Sequence, residues 1–296
     1  KIRGINIGGA LGNALGVPHE FICNRDTKFT GVLEHRGFMI TKWQGKKELE
    51  IGQVSDDTEM TLALLQTIVN DETYIRENVI LAYMEWANSG GWMMGKNTRA
   101  LLKGVKTIKG YEKRMEKILE LPEDQRSQSN GFLMRCSPLA LIPEDDSDCL
   151  IDDSFIELDA SITNPNKVCI ECSQIYIKCI KLALQDTDID EIFNTVYKMS
   201  KTMSVAIKDV FRQIRKKETR NIRFKKGWCC HGLYCALYVM LNFRESSRED
   251  YCDRYNRAME WIINHPGSDT DTNAAIAGSL LGVLIGFKEL KKNPIT

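Results

Sequence analysis

Apolar residues recur at three- and four-residue spacing along almost the whole chain, the pattern of helices that each bury one face. The spacing predicts helices over Ile5–Leu15, Glu59–Asn70, Ile75–Asn88, Thr98–Ile108, Tyr111–Glu120, Gly131–Leu141, Asn166–Gln185, Ile189–Met199, Val205–Lys217, Trp228–Asn242, Arg248–Asn264 and Thr272–Leu290. Only Thr30–Trp43 carries β-like residues, and it reads as a loop or a short hairpin. Proline stands at only seven positions and composition does not shift along the chain, so no linker divides it. The expectation is an all-α fold, a single compact domain over residues 1–296 built of about a dozen helices.

Two glycine stripes bear on how those helices meet. Gly4, Gly8, Gly12 and Gly16 recur every fourth residue, and Gly278, Gly282 and Gly286 do the same after Ala274. On a helix this spacing makes one smooth face that lets another backbone approach. Glycine inside a helix is unfavourable by roughly 1 kcal/mol relative to alanine, so the repetition needs a packing reason. Either the first and last helices cross at close range, or each stripe packs a different neighbour.

Composition narrows the classes of partner. Lys and Arg number 40 against 40 Asp and Glu, which argues against broad nucleic-acid or membrane-surface binding. The longest apolar run, Ala274 to Phe287, is too short and too glycine-rich for a membrane span. Ten cysteines without a signal-peptide pattern read as free thiols in a reducing intracellular compartment, cytoplasmic or nuclear. Cys169 and Cys172 lie at i, i+3, with Cys229-Cys230-His231 elsewhere. They read as core residues, because a structural zinc site needs four converging ligands. His231 reads as a satisfied core or cleft histidine. The basic run Arg212–Lys226 is a solvated segment or, less simply, a dock for an acidic partner. A monomer is the default expectation.

Two short acidic bursts carry the chemistry. Ser55-Asp56-Asp57-Thr58 and Ser268-Asp269-Thr270-Asp271-Thr272 each open an apolar helix. Either alone is explained by helix capping, with Asp56 and Glu59 as a capping box and Asp269 and Thr272 as its counterpart. Together they exceed what capping needs, since one side chain per helix suffices. Four carboxylates with neighbouring hydroxyls form an all-oxygen set suited to Mg²⁺, Mn²⁺ or Ca²⁺. Brought together without such an ion, like charges would repel strongly.

The motif Gly267-Ser268-Asp269-Thr270-Asp271-Thr272-Asn273-Ala274-Ala275-Ile276-Ala277-Gly278 resembles the C-terminal signature of the ADP-ribosylglycohydrolase family. That family includes the dinitrogenase-reductase-activating glycohydrolases and the ARH-type ADP-ribosyl-acceptor hydrolases. Ser55-Asp56-Asp57-Thr58 is similar to its first metal motif, and Gly8–Gly16 with Glu20-Phe21 to its N-terminal segment. Ser129-Asn130-Gly131, with Met134-Arg135 and Pro138, resembles its middle loop. The motifs occur in the family's order across nearly the whole chain.

The resemblance implies an all-helical fold and a two-ion Mg²⁺ centre, Mn²⁺ being the alternative, ligated by Ser55, Asp56, Asp57, Asp269, Asp271 and Thr272. It implies hydrolysis of the bond between the anomeric carbon of ADP-ribose and an acceptor on a protein or small molecule. Asp57, Asp269 and a gating Glu20 would be the catalytic carboxylates. Ser127, Gln128, Ser129, Asn130 and Gly131 would offer backbone N–H groups to the diphosphate from a helix N-terminus. The chain departs from the family's pattern at Asn13 and Met93, each where an Asp is usual, at Asn164 in place of His, and at Ser268 in place of Gly. Those departures leave a catalytically inactive ADP-ribose-binding or structural relative as the alternative.

Overall fold

The computed structural model describes residues 1–21, 38–41, 45–143, 154–242, 244, 251–265 and 267–293. Among them the α-helices are α1 (Ile2–Gly16), α2 (Asp56–Asp71), α3 (Arg76–Ser89), α4 (Lys96–Leu102), α5 (Ile108–Leu119), α6 (Ser154–Thr163) and α7 (Lys167–Leu184). They continue with α8 (Ile189–Ser200), α9 (Val205–Arg215), α10 (Cys229–Asn242), α11 (Tyr251–Ile263), α12 (Thr270–Ile285) and α13 (Phe287–Leu290). The fold is all-α, as the periodicity requires. β1 (Phe38–Thr41) and β2 (Gly45–Glu48) pair antiparallel with Phe38 opposite Glu48, which resolves the loop-or-hairpin alternative for the part that is described.

The centre of the fold is the crossing of α1 and α12. A β-carbon at Gly4 would fall on the Gly282 carbonyl oxygen, one at Gly8 on that of Gly278, and one at Gly12 on that of Ala274. At Gly16 it would meet the backbone of Asp271. The backbones therefore touch, and this is the packing reason the stripes required. Gly286 is not part of the contact. It sits at φ 84 with open space around it and ends α12, so the helix expected to reach Leu290 breaks there. Two hydroxyls lock the crossing by donating to carbonyls of α1: Tyr255 to Gly8, and Thr270 to Gly16 at 2.8 Å. All of α12 except Leu284 is buried.

Other departures from the predicted elements have local causes. Residues 131–135 form turns and Ser137–Leu141 a 3₁₀ helix, where an α-helix was expected over Gly131–Leu141. Pro138 lacks an N–H and disfavours the α region before it. The buried Arg135 turns back to the Gly131 carbonyl at 3.2 Å and also reaches the Asp159 carbonyl and the Thr163 hydroxyl. The helix predicted over Thr98–Ile108 begins earlier and stops at Leu102, and Gly104 at φ 76 ends that segment before α5 starts. The helix predicted from Arg248 is described from Tyr251, its first residues lying outside the described ones. α6 was not predicted. It follows the acid-rich sequence of residues 144–153 and carries the wholly buried Asp159, which interrupts its apolar spacing.

Because backbone atoms of the other helix fill the space beside Gly8 and Gly282, Gly8→Ala or Gly282→Ala should destabilise the protein by about 3 kcal/mol, near the upper end for overpacking. Gly95→Ala, where a β-carbon meets nothing within 4 Å, should cost no more than about 1 kcal/mol, the preference of an N-cap for glycine over alanine. Urea unfolding of the three variants checks this; equal effects would contradict the close crossing.

Candidate active site

The α1–α12 crossing sets the two acidic bursts side by side. Ser55 and Asp269 occupy the N-cap positions of α2 and α12, yet neither side chain makes a capping hydrogen bond. Glu59, the other half of the presumed capping box, instead accepts from the Trp86 indole at 2.7 Å and the Trp92 N–H at 3.2 Å. The Ser55 hydroxyl lies 2.8 Å from Asp57 Oδ2 and 3.0 Å from Asp271 Oδ2, bridging residues of the two bursts. Asp269 Oδ2 accepts from the Asn130 amide at 3.0 Å. Capping, adequate for either burst in isolation, does not describe where these oxygens go.

Asn13 explains how Ser55 is held. Its amide donates to Ser55 Oγ at 2.7 Å, and its carbonyl accepts from the Ser55 N–H at 2.8 Å and the Thr58 hydroxyl at 2.9 Å. An amide supplies donor and acceptor at once, which an ionised carboxylate cannot. With one lone pair taken by Asn13, the Ser55 proton is directed towards Asp57 and Asp271. The departure at Asn13 is thus a complete hydrogen-bond arrangement in this chain.

The six residues Ser55, Asp56, Asp57, Asp269, Asp271 and Thr272 are all buried, none more than 7% exposed. Half-buried Glu20 joins them from the turn after α1, and its carboxylate comes within 4.8 Å of oxygens of Asp269 and Asp271. At that separation two unit charges repel by about 3 kcal/mol with an effective dielectric of about 20. A few such pairs rival the whole folding margin of roughly 5–15 kcal/mol.

The carboxyls respond by holding protons. Asp57 is pushed up to about 7, by burial first and then by Asp269, against hydrogen bonds from Ser55 and Thr272. Burial likewise raises Asp56, Asp269, Asp271 and Glu20, and for Glu20 the charges of Asp269 and Asp57 add to it while Lys226 opposes. Asp57 Oδ1, Asp269 Oδ1 and Asp271 Oδ1 are buried without a hydrogen-bond partner among the described residues. Orphaned, hard carboxyl oxygens at three positions of one buried cluster fit a divalent cation of the Mg²⁺ type, which would displace the protons.

A cleft of about 600 Å³ opens over this cluster. Glu20, Asp56, Asp269, Asp271 and Thr272 form its floor, and Ser127, Ser129, Asn130 and Gly131 one wall. Gln128 is the exception in that loop, its side chain accepting from the Trp228 indole at 2.9 Å behind the wall. The expected row of free backbone donors is reduced: the Ser129 N–H is taken by Ser127 Oγ and the Asn130 N–H by the Gly227 carbonyl. The residues directly after the loop form turns and a 3₁₀ helix, so the loop does not itself open an α-helix. What braces the loop is Asn164, whose amide donates to Ser129 O at 3.2 Å and Ser129 Oγ at 3.1 Å. Sequence reasoning recognised Asn164 only as a departure.

Lys96 and Arg126 line the cleft and were not singled out in the sequence, since lone basic residues on helices and loops are ordinary. Met93 also lines it, at φ 59, packed against a small cluster of Val17, Leu49 and Trp92. His231 lies apart. Its Nδ1 accepts from Arg220 at 2.9 Å and its Nε2 meets the Phe224 carbonyl at 2.7 Å, and burial lowers it to about 4. It is a satisfied histidine, as expected. In the basic run, Arg212 is paired with Asp209 and Glu218, and Arg220 is buried.

With this geometry in view, the comparisons with known proteins are specific. The ADP-ribosylglycohydrolase family profile matches residues 1–293, and the chain belongs to that family of hydrolases acting on ADP-ribose linkages. It is 24% identical over 294 residues to the ADP-ribosylarginine hydrolase Tri1 of Pseudomonas putida (strain GB-1), covering 97% of this chain and 71% of the relative. It is 25% identical over 303 residues to a protein of Acanthamoeba polyphaga mimivirus named provisionally as an ADP-ribosyl glycohydrolase, covering 96% of this chain and 86% of the relative. A solved structure titled as an ADP-ribosylglycohydrolase-related protein complex shares the fold with a TM-score of 0.70 at 21% identity, over 97% of this chain and 88% of that one. No helix among the described residues is long and apolar enough to cross a membrane.

The raised carboxyls set the sign of a pH dependence. Folding lifts them above their ordinary range, so between about pH 4 and about pH 7 the folded chain binds more protons than the unfolded one. Stability in metal-free buffer should therefore fall as pH rises through that window. Asp271→Asn should flatten the profile, and a divalent cation should raise the Tm more at pH 8 than at pH 5. Calorimetric scans across pH check this, and a Tm that rises with pH in chelator would contradict it.

Proposed function

We propose that the protein is an ADP-ribosyl-acceptor hydrolase that cleaves the bond between the anomeric carbon of ADP-ribose and its acceptor, dependent on two Mg²⁺ ions or, in their place, Mn²⁺. The observation that carries this reading is the set of buried, unpartnered carboxyl oxygens of Asp57, Asp269 and Asp271, of which Asp269 and Asp271 line the floor of a cleft, in a chain of this family. Ser55, Asp56, Asp57, Asp269, Asp271 and Thr272 would hold the ions. When bound, the ions supply fixed positive charge that grips the ribose hydroxyls and orients a water.

The chain's own groups account for the rest. Glu20 stands at the edge of the cluster on the turn after α1, and its raised affinity for a proton suits a base that takes one from the attacking water. The carboxylate floor is placed to favour positive charge developing at the anomeric carbon. The hydroxyls of Ser127 and Ser129, with Lys96 and Arg126, meet a diphosphate. Met94, Ile118 and Leu121 offer an apolar wall to the base. Arginine is the first acceptor to test, because one relative is named as an ADP-ribosylarginine hydrolase. The reaction matches an intracellular substrate, an ADP-ribosylated protein or small molecule.

The second reading, an inactive ADP-ribose-binding relative, is favoured by Met93. It puts an apolar side chain on the cleft wall where the resemblance leads one to expect an Asp. Release of ADP-ribose from arginine-, serine- and acetyl-linked substrates, measured with Mg²⁺ and with chelator, separates the two. Under the hydrolase reading turnover requires Mg²⁺, disappears in Asp57→Ala and Asp269→Ala, and falls by roughly 10²- to 10⁴-fold in Glu20→Gln. Calorimetric ADP-ribose binding without turnover on any of the three linkages would leave the binder.

A further inference from the structure

Two cysteine pairs far apart in the sequence meet behind the cleft. Cys169 and Cys172 stand one turn apart on α7, and Cys229 and Cys230 open α10. All four are fully buried. The Sγ atoms of Cys172, Cys229 and Cys230 lie within 4.8 Å of one another, and the Cys229 thiol is also within hydrogen-bonding reach of Cys169. Three sulfurs bound to one ion at about 2.3 Å would stand about 4 Å apart, so the ligands are already close to the spacing one ion would impose.

A bland core explanation covers any one of these residues, since free cysteine packs as a small hydrophobe. It does not explain why two helices bring three thiols to one point with the fourth, Cys169, beside Cys229. A disulfide joins sulfurs in pairs, whereas mutual proximity of three is the arrangement a single central ion requires. Thiolates select soft ions, zinc foremost among those commonly held by four cysteines. The Cys230 thiol is held above its ordinary range: its contact with Cys172 lowers it, but its contact with Cys229 and burial outweigh that, and the buried Arg220 guanidinium offsets them only in part. The cysteines of α10 also sit at the positive end of that helix, which favours a thiolate.

We propose that Cys169, Cys172, Cys229 and Cys230 form a structural zinc site buried behind the loop Ser127–Gly131. On binding, each thiol gives its proton to solvent and the thiolate donates to the ion; no oxidant is involved. The site braces the cleft wall from behind. The Cys229 N–H donates to the Gln128 carbonyl at 3.0 Å, and Cys169 Sγ lies 3.6 Å from the Ser127 carbonyl. Neither contact depends on the hydrolase reading, and the metal test stands whether or not the protein turns over ADP-ribose.

The test is metal analysis of the full chain, reduced, supplied with zinc and dialysed exhaustively into metal-free buffer. About one zinc per chain should remain, and Co²⁺ in its place should give the thiolate-to-cobalt charge-transfer band of sulfur ligation. Cys172→Ser and Cys229→Ser should each lose the ion, while Cys179→Ser and Asp271→Asn keep it. The last variant separates this site from the acidic floor of the cleft. The cobalt spectrum is read on the unaltered protein, so a variant that fails to fold does not decide the matter. Retention below about a tenth of an equivalent with no cobalt band would overturn the proposal. So would an intact mass two hydrogens lighter from a disulfide among the four.

Discussion

Where α1 crosses α12 the two backbones touch, with carbonyl oxygens filling the space that side chains would otherwise occupy. Everything at the cleft depends on that contact. At the C-terminal end of α1 it places Gly16 against Asp271, so the turn that carries Glu20 emerges over the first turn of α12. Asn13, on the same helix, reaches across to Ser55 and so fixes the start of α2. Two acidic helix openings and one acidic turn are thereby registered to one another by hydrogen bonds and van der Waals contact. A bulkier pair of helices would hold them ångströms further apart.

The same contact carries a cost, because it concentrates carboxylates where water is scarce. Dispersion and burial along α12, nearly all of which is inside, hold the charges together against their repulsion. Local rules give way at this one place. Acidic residues at a helix start ordinarily cap it, yet here Ser55 turns to Asp57 and Asp271, and Asp269 accepts from Asn130. Agreement between local and global preferences is the rule in folded proteins, and its breakdown at the cleft floor is what marks a functional site.

Much of this was legible in the amino-acid order. Glycine every fourth residue in both α1 and α12 announced a close approach, though only the fold could say that the two stripes face each other. The bursts at Asp56-Asp57 and Asp269–Asp271 stood out because they overshot the needs of capping. What stayed hidden depended on long-range partners. Phe132, Leu133 and Leu139 are buried and spaced as in a helix, but Pro138 and the inward turn of Arg135 break it into turns. Asn13 and Asn164 looked like losses because a single sequence does not show what an amide donates to. The two cysteine pairs read as core thiols for the same reason: spacing along α7 says nothing of its packing on α10.

The α1–α12 crossing also orders events in time. The Tyr255 hydroxyl and the Gly8 carbonyl that it holds are 247 residues apart. Closing so long a loop is entropically slow, and contacts of this separation form late in folding. On the ribosome, α1 emerges before the other helices described here and must wait, its smooth face unmatched, until nearly all of them have been made. The cleft cannot exist in a partly synthesised chain. Assembly of the acidic floor is then the closing act of folding, and a chain that stops short of α12 carries the charges of Asp56 and Asp57 without the partner helix that gives them a purpose.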